Sequence, residues 1–338
     1  MRTSGRGDPD LFLGIDIGAT KVLAGLVDAR GRIVARSDRR VHRNDGPAHV
    51  LAAVLEEVRA LGPEVAHARG AGVAVAAQVD PRRGTVLYAP NLRWRNVPLG
   101  PRLERALGLP VVVENDARSA TWGEWKHGAG GGGSDLICIV VGTGVGGGLV
   151  VDGRLLGGSV HAAGEVGHMT IVAGGRKCSC PNRGCLEAYV SGWAIGQRAR
   201  EAVRADPTGG AALRASVGSV SGIDAGAVTR AARAGDRFSI DLMDATGIWL
   251  GAGVVALVNV LNPARVVLGG GVVEGWPNLV GQVRNAVRRG AQPPAARAVR
   301  IGRGKLGSLA QVVGAAWLAR DRAATRRPKA SGRRASGG

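Results

Sequence analysis

Aromatic side chains are scarce in this sequence: two Phe, two Tyr and seven Trp among 338 residues. A surface that stacks nucleic-acid bases needs aromatic platforms between its cations. Only Trp94 stands directly between arginines. Nucleic acid is therefore not the expected partner, despite a formal net charge of +19. Lysine is also scarce, with five among 45 basic residues and arginine making up the rest, which reads as a compositional bias of the whole chain. Seven basic residues against one acid fall in residues 320–338, a Ser/Gly/Pro/Arg stretch expected to be a disordered tail from Asp321 onward. The rest keeps about +13, which helps to attract polyanionic small molecules such as nucleotides. Four cysteines are too few for a disulfide framework in a chain of this size. Long apolar runs are lacking as well. None reaches the roughly 18 residues of a membrane helix, and the best candidate, Val254 to Leu261, contains Asn259. Met1 to Pro9 has arginines but no apolar stretch, so no secretory leader and no membrane partner are expected, and the expected compartment is the cytoplasm.

Glycine is abundant, 56 residues, and it clusters between apolar runs. Leu11 to Ile17 reads as a buried strand ending in Asp16-Ile-Gly18-Ala-Thr20-Lys21, followed by a second strand, Val22 to Val27, and a turn at Asp28 to Gly31. About 125 residues later the pattern returns. Leu136 to Val141 is apolar, Gly142-Thr143-Gly144-Val-Gly-Gly-Gly148 is a turn, Leu149 to Val151 is a strand, and Asp152-Gly-Arg154 turns again. The repeat predicts two similar α/β domains. Gly128 to Ser134 reads as a linker. Helices are expected over residues 47–61, 117–126, 238–261 and 276–288 and near 309–317, with further strands at Ala71 to Val79, Val111 to Val113 and Val266 to Leu268. The expected division is a small domain over 1–119, completed by a helix at 307–320, and a large domain over 120–306.

Three groups of residues carry chemistry. A tight turn with glycine and a hydroxyl offers backbone N–H groups to a phosphate, and Asp16 beside the first turn suits Mg²⁺. The second turn matches a dinucleotide pattern, but a strand rather than a helix follows it, which disfavours a Rossmann unit. Asp116 ends a buried strand before a helix. Such a carboxylate can accept a hydroxyl proton in phosphoryl transfer, or Asn115 or Asp116 can simply cap the helix. The most specific group is His168 with Cys178-x-Cys180-x4-Cys185. Three thiolates and an imidazole complete a tetrahedral zinc set, and four protein ligands make the zinc structural.

Gly142-Thr-Gly-Val-Gly-Gly-Gly148, Gly164-Glu-Val-Gly-His168 and Cys178-Ser-Cys-Pro-Asn-Arg-Gly-Cys-Leu-Glu187 together resemble the ROK family of bacterial repressors and sugar kinases. The resemblance runs from about Leu11 to Arg320. It implies a two-domain actin-like (hexokinase/actin ATPase) α/β fold with a cleft, and ATP-dependent phosphorylation of a hexose, glucose at its 6-hydroxyl first. Asp116 would be the base, and Asn115, Glu165, His168 and Glu187 would hold the sugar. Asp16, Gly18, Thr20, Lys21, Gly142, Thr143 and Gly144 would hold the phosphates with Mg²⁺, and Gly269, Gly270 and Gly271 would lie against adenosine. A homodimer is the family expectation. Other acceptors (N-acetylmannosamine, fructose, allose) and inorganic polyphosphate as donor fit the same scaffold. The family's repressors carry a winged helix-turn-helix ahead of the first phosphate loop. Ten residues before Leu11 leave no room for one, and the expectation is an enzyme. Three positions depart from the family pattern. Ser179 and Pro181 replace glycines in the zinc knuckle, Ala19 replaces one in the first loop, and Ala77-Gln78 stands where a Gly-Pro pair is common near the sugar.

Overall fold

The computed structural model describes residues 10–42, 45–133 and 135–326. Residues up to Ser119, together with those from Gln311, form one unit; Ala120–Ala310 form the other.

In the first unit the chain lays down β1 (Leu11–Ile17), β2 (Lys21–Val27), β3 (Ile33–Arg40), β4 (Ala68–Val75), β5 (Gln78–Asp80), β6 (Thr85–Ala89), β7 (Trp94–Val97) and β8 (Val111–Asn115). Five of these make a sheet in the order β3-β2-β1-β4-β8. β1 pairs antiparallel with β2 and parallel with β4, which pairs parallel with β8. Central β1 is apolar on both faces because both are covered. Leu13, Ile15 and Ile17 share an apolar cluster with Val50, Val54 and Val58 of helix α1 (Pro47–Ala60). Gly14 points the other way, as strand alternation requires. A Cβ there would lie 2.0 Å from the Val312 carbonyl oxygen, and one on Gly72 would lie 1.8 Å from that of Ala315. The C-terminal helix, Ala310–Arg326, therefore rests directly on strand backbone that only glycine leaves bare. Edge strand β3 carries Arg36, Asp38, Arg39 and Arg40, charges that discourage pairing with another chain. β5, β6 and β7 make a separate three-stranded sheet. The remaining helices here are α2 (Leu99–Leu107) and the start of α3 (Asp116–His127), along which the chain enters the second unit.

The second unit repeats the first sheet. β9 (Leu136–Val141), β10 (Val145–Val151), β11 (Arg154–Leu155), β12 (Arg265–Gly269) and β13 (Arg300–Arg303) lie in the order β11-β10-β9-β12-β13, with two antiparallel hairpin pairings and two parallel ones. The duplicated hairpin read from sequence is thus the visible part of a duplicated five-stranded topology. Helices α4 (Glu187–Val190), α5 (Gly192–Ala205), α6 (Ala211–Ala215), α7 (Ala225–Arg233), α8 (Arg237–Leu261), α9 (Gly271–Gly275) and α10 (Asn278–Gly290) build its core. Among the described residues α8 is the one helix long and apolar enough to cross a membrane. Its Met243, Leu250, Val254 and Val258 are fully buried in this core, against α5, α7 and α10.

Four expectations need correction. The strand expected over Ala71 to Val79 leaves its sheet at Val75, where the Ala77 N–H turns back onto the Val75 carbonyl (2.8 Å), and Gln78 starts β5. The helix expected from Trp276 begins only at Asn278, since Pro277 has no N–H to continue from α9. The glycine-rich 128–133 stretch is not a free linker. Gly128, Gly130 and Gly132 donate to the last carbonyls of α3, and Ala129 donates to the buried Glu124 carboxylate (2.8 Å), which also takes the N–H groups of Lys305 and Leu306. Ser134 lies outside the described residues. The expected tail begins later than Asp321, because the last helix runs to Arg326 and Arg322 donates to the Pro81 carbonyl (3.3 Å). The rest of that tail, 327–338, and the Met1 to Pro9 segment lie outside the described residues.

Candidate active site

In the first unit, parallel pairing brings the ends of β1 and β8 to the same edge of one sheet, with β4 between them. Asp16 is the sixth residue of β1, and Asn115 and Asp116 are the last residue of β8 and the first of α3. The capping role falls to Asn115. Its Oδ1 accepts the Arg118 N–H (3.0 Å), and its Nδ2 donates to the Ala77 carbonyl (3.2 Å). Buried Arg118 returns along α3 to pair with Glu114 (2.9 Å), which stiffens the strand-to-helix joint. Asp116 accepts the Ala117 N–H (2.8 Å) at the positive end of α3. Gly18 donates to the Lys21 carbonyl (2.9 Å) and so closes the first turn; Thr20 is exposed. The Lys21 ammonium is paired with Asp38 at 3.1 Å, with both side chains half-exposed.

Burial raises Asp16 to about 7, the Asp116 charge adds to the rise, and Lys21 offsets part of it. Burial also raises Asp116, against hydrogen bonds from its own and the Ala117 N–H and from Asn115. A folded-state pKa above the unfolded value means that the site's stabilising contribution is complete below about 4 and is lost as pH rises through about 7. The free protein is therefore expected to lose on the order of 4 kcal/mol of stability between about pH 4 and 7 at this site. Asp16→Asn should flatten that slope in urea titrations. An unchanged slope would refute the assignment.

In the second unit the turn Gly142–Gly144 is closed by the Gly142 N–H on the Gly144 carbonyl (2.9 Å) and sits at the N-terminus of α5, where Gly192 and Trp193 donate to the carbonyls of Gly142 and Thr143. The glycines expected as a turn over 142–148 divide: from Val145 they belong to β10, pairing with β9. Exposed Glu165 precedes a short turn of helix, Val166–His168, and Gly164 and Gly167 let this segment lie against β10 backbone. Gly269 ends β12 and Gly270 turns into α9.

His168, Cys178, Cys180 and Cys185 converge, their ligand atoms all within 4.8 Å of one another. Backbone bridges Lys177–Arg183 and Thr170–Cys185 fold the knuckle. The pairs His168 Nδ1–Cys178 Sγ and Cys180 Sγ–Cys185 Sγ are each 3.6 Å apart. A tetrahedral zinc with Zn–S near 2.3 Å sets ligand atoms about 3.8 Å apart, so the donor set fits. Burial, then proton sharing with the other two thiols, pushes Cys185 up to about 12. Three thiolates need a cation to coexist there. Glu187, buried, opens α4 two residues past the knuckle, and its Oε2 accepts the Val145 N–H (2.9 Å) at the end of the Gly142–Gly144 turn.

The ROK family profile matches residues 12–322. The chain belongs to the ROK family. Its similarity extends to a glucokinase of Streptomyces coelicolor, 37% identical over 317 residues, 92% of this chain and 98% of that one. A crystal structure of a ROK family glucokinase from Streptomyces griseus in complex with glucose and AMPPNP superposes with a TM-score of 0.81 at 38% identity, covering 92% of this chain and 99% of that chain. A xylose repressor of Caldicellulosiruptor bescii is 37% identical over 200 residues, 59% of this chain and 49% of its own. The ROK chain thus has the actin-like α/β fold that its motifs implied. Sequence reading missed two groups of this ROK site, the Val145 N–H and the Ser179 hydroxyl, which both bind Glu187. Ser179 was visible only as a departure from glycine.

Proposed function

We propose that this ROK protein is a cytoplasmic ATP-dependent sugar kinase that phosphorylates glucose at its 6-hydroxyl. The observation that carries the reading is the pair of raised carboxylates, Asp16 and Asp116, at the β1 and β8 ends in a chain similar to a glucokinase over 92% of its length. Asp116 takes the proton from the sugar hydroxyl as that oxygen bonds to the γ-phosphorus; the bond from phosphorus to the β-bridging oxygen breaks and ADP leaves. Asn115, Glu165, His168 and Glu187 accept or donate hydrogen bonds to the other hydroxyls. Gly18, Thr20, Lys21 and the Gly142-Thr143-Gly144 turn hold the phosphates, and Gly269 to Gly271 lie against adenosine. Mg²⁺ would be held by Asp16 and the nucleotide's phosphates and would neutralise their charge. Zinc in the knuckle would be structural. Homodimers are the expected assembly, to be read by light scattering.

A second reading is favoured by Ala77-Gln78. The Ala77 carbonyl anchors Asn115, while the Gln78 side chain is exposed. A different acceptor (N-acetylmannosamine, fructose, allose) or polyphosphate as donor would keep the same mechanism. The deciding experiment is phosphoryl transfer to a sugar panel with MgATP and polyphosphate as separate donors. Glucose with MgATP is expected to give the highest kcat/KM, at least tenfold above the other pairs, a gap of about 1.4 kcal/mol. Turnover with no pair would reject these acceptors and donors and point to a sensor or to a substrate outside the panel.

A further inference from the structure

The two oxygens of Glu187 are held in different ways. Oε2 takes a backbone N–H, that of Val145, at 2.9 Å, and it fits only because residue 144 is glycine: a Cβ there would stand 2.6 Å from this oxygen. Oε1 takes the hydroxyl of Ser179 at 2.7 Å, with the Cys178 thiol 3.9 Å from the same oxygen. Val145 reaches the carboxylate from strand β10, and Ser179 reaches it from between two cysteines of the knuckle. A carboxylate fixed at both oxygens has one rotamer and presents its remaining lone pairs in one direction. A glycine at 179, the residue usual in the sequences this knuckle resembles, would leave Oε1 to water and the carboxyl free to rotate about its last bond.

We propose that Ser179 is a positioning residue for Glu187, fixing the carboxylate so that it meets one particular sugar hydroxyl. Ser179 acts through Glu187. The proposal rests on the reading of Glu187 as a sugar-binding residue. It links the metal knuckle to acceptor selectivity: the knuckle sets the backbone at 179, the hydroxyl sets the carboxylate, and the carboxylate selects the hydroxyl.

The test compares Ser179→Ala, Ser179→Thr and Glu187→Gln with the unaltered full chain, using glucose and its 1-, 2- and 3-deoxy analogues with MgATP. Ser179→Ala is expected to raise the KM for glucose about tenfold, the worth of one hydrogen bond to a charged group. Its kcat should change by less than about threefold, its KM for MgATP should hold, and its zinc content should match the parent's. Ser179→Thr, which keeps the hydroxyl, should recover most of that loss. One deoxy sugar should lose much less with Ser179→Ala than with the parent, because the hydroxyl it lacks is the one Glu187 no longer meets squarely. If Glu187→Gln raises the KM while Ser179→Ala does not, or if every deoxy sugar responds alike, the positioning role is wrong. The role also fails if Ser179→Ala loses zinc, melts earlier and lowers kcat and kcat/KM together, since Ser179 would then serve only the knuckle. A Glu187→Gln variant with unaltered KM for sugar would overturn the sugar-binding reading itself.

Discussion

Asp116→Asn is expected to bind glucose within a few-fold of the parent protein and to turn it over about 10³-fold more slowly, the range that general-base catalysis supplies. Asparagine keeps the side-chain shape and can still accept the Ala117 N–H that holds Asp116 at the start of α3. It cannot take a proton from the attacking hydroxyl at neutral pH. Calorimetric titration with glucose and a kcat measurement separate the two effects. A variant with near-normal turnover would show that positioning and electrostatics alone carry the reaction, and Asp116 would be only a first-turn residue of α3. The same base predicts a pH profile. Because burial raises Asp116 above the ordinary carboxylate range, the acid limb of kcat/KM for glucose should lie above that range rather than near 4. An acid limb below pH 5 would place the ionisation elsewhere.

Cys180→Ala is expected to abolish stoichiometric zinc, about one ion per chain in the parent, and to lower the unfolding free energy by several kcal/mol. The size follows from how the knuckle is built. Cys178 and Cys185 are buried and Cys180 is half-buried on a tight bridge-closed loop, where three neighbouring thiolates would repel one another, so the cation supplies the charge balance that the loop lacks. Glu187 is two residues beyond Cys185, and Ser179 lies between two of the ligands, so sugar affinity should fall with the metal. Elemental analysis of protein prepared without chelator, together with thermal melts, checks both. Parent protein without zinc would remove the metal assignment, and a zinc-free Cys180→Ala variant with parental stability would make the site dispensable.

Local features were legible in the sequence. The knuckle could be read because its three cysteines lie within eight residues and His168 stands ten before them, so chain connectivity alone brings the ligands near one another. The repeated hairpin could be read because a strand, a glycine turn and a strand need no distant partner. Asp116 could be placed at a strand end, but whether it or Asn115 caps α3 depended on a side-chain rotamer, and Asn115 does so. Residues 128–133 were misread because glycine content reports backbone freedom and not the partners that remove it. Glu124 is such a partner, holding Ala129 locally and Lys305 and Leu306 from about 180 residues away.

By itself the sequence determined the two strand–turn–strand hairpins, their duplication, the Cys3His cluster and the family, since each follows from residue types at short spacing. Only the tertiary structure decided that Asp16 and Asp116, a hundred positions apart, lie at neighbouring ends of one sheet and are both raised by burial, that Gly14 and Gly72 lie bare beneath the last helix, and that the Ser179 hydroxyl bonds Glu187. The physical reason is common to all three. Burial and hydrogen-bond geometry depend on which distant surfaces meet, and sheet pairing across long loops sets this where spacing along the chain does not.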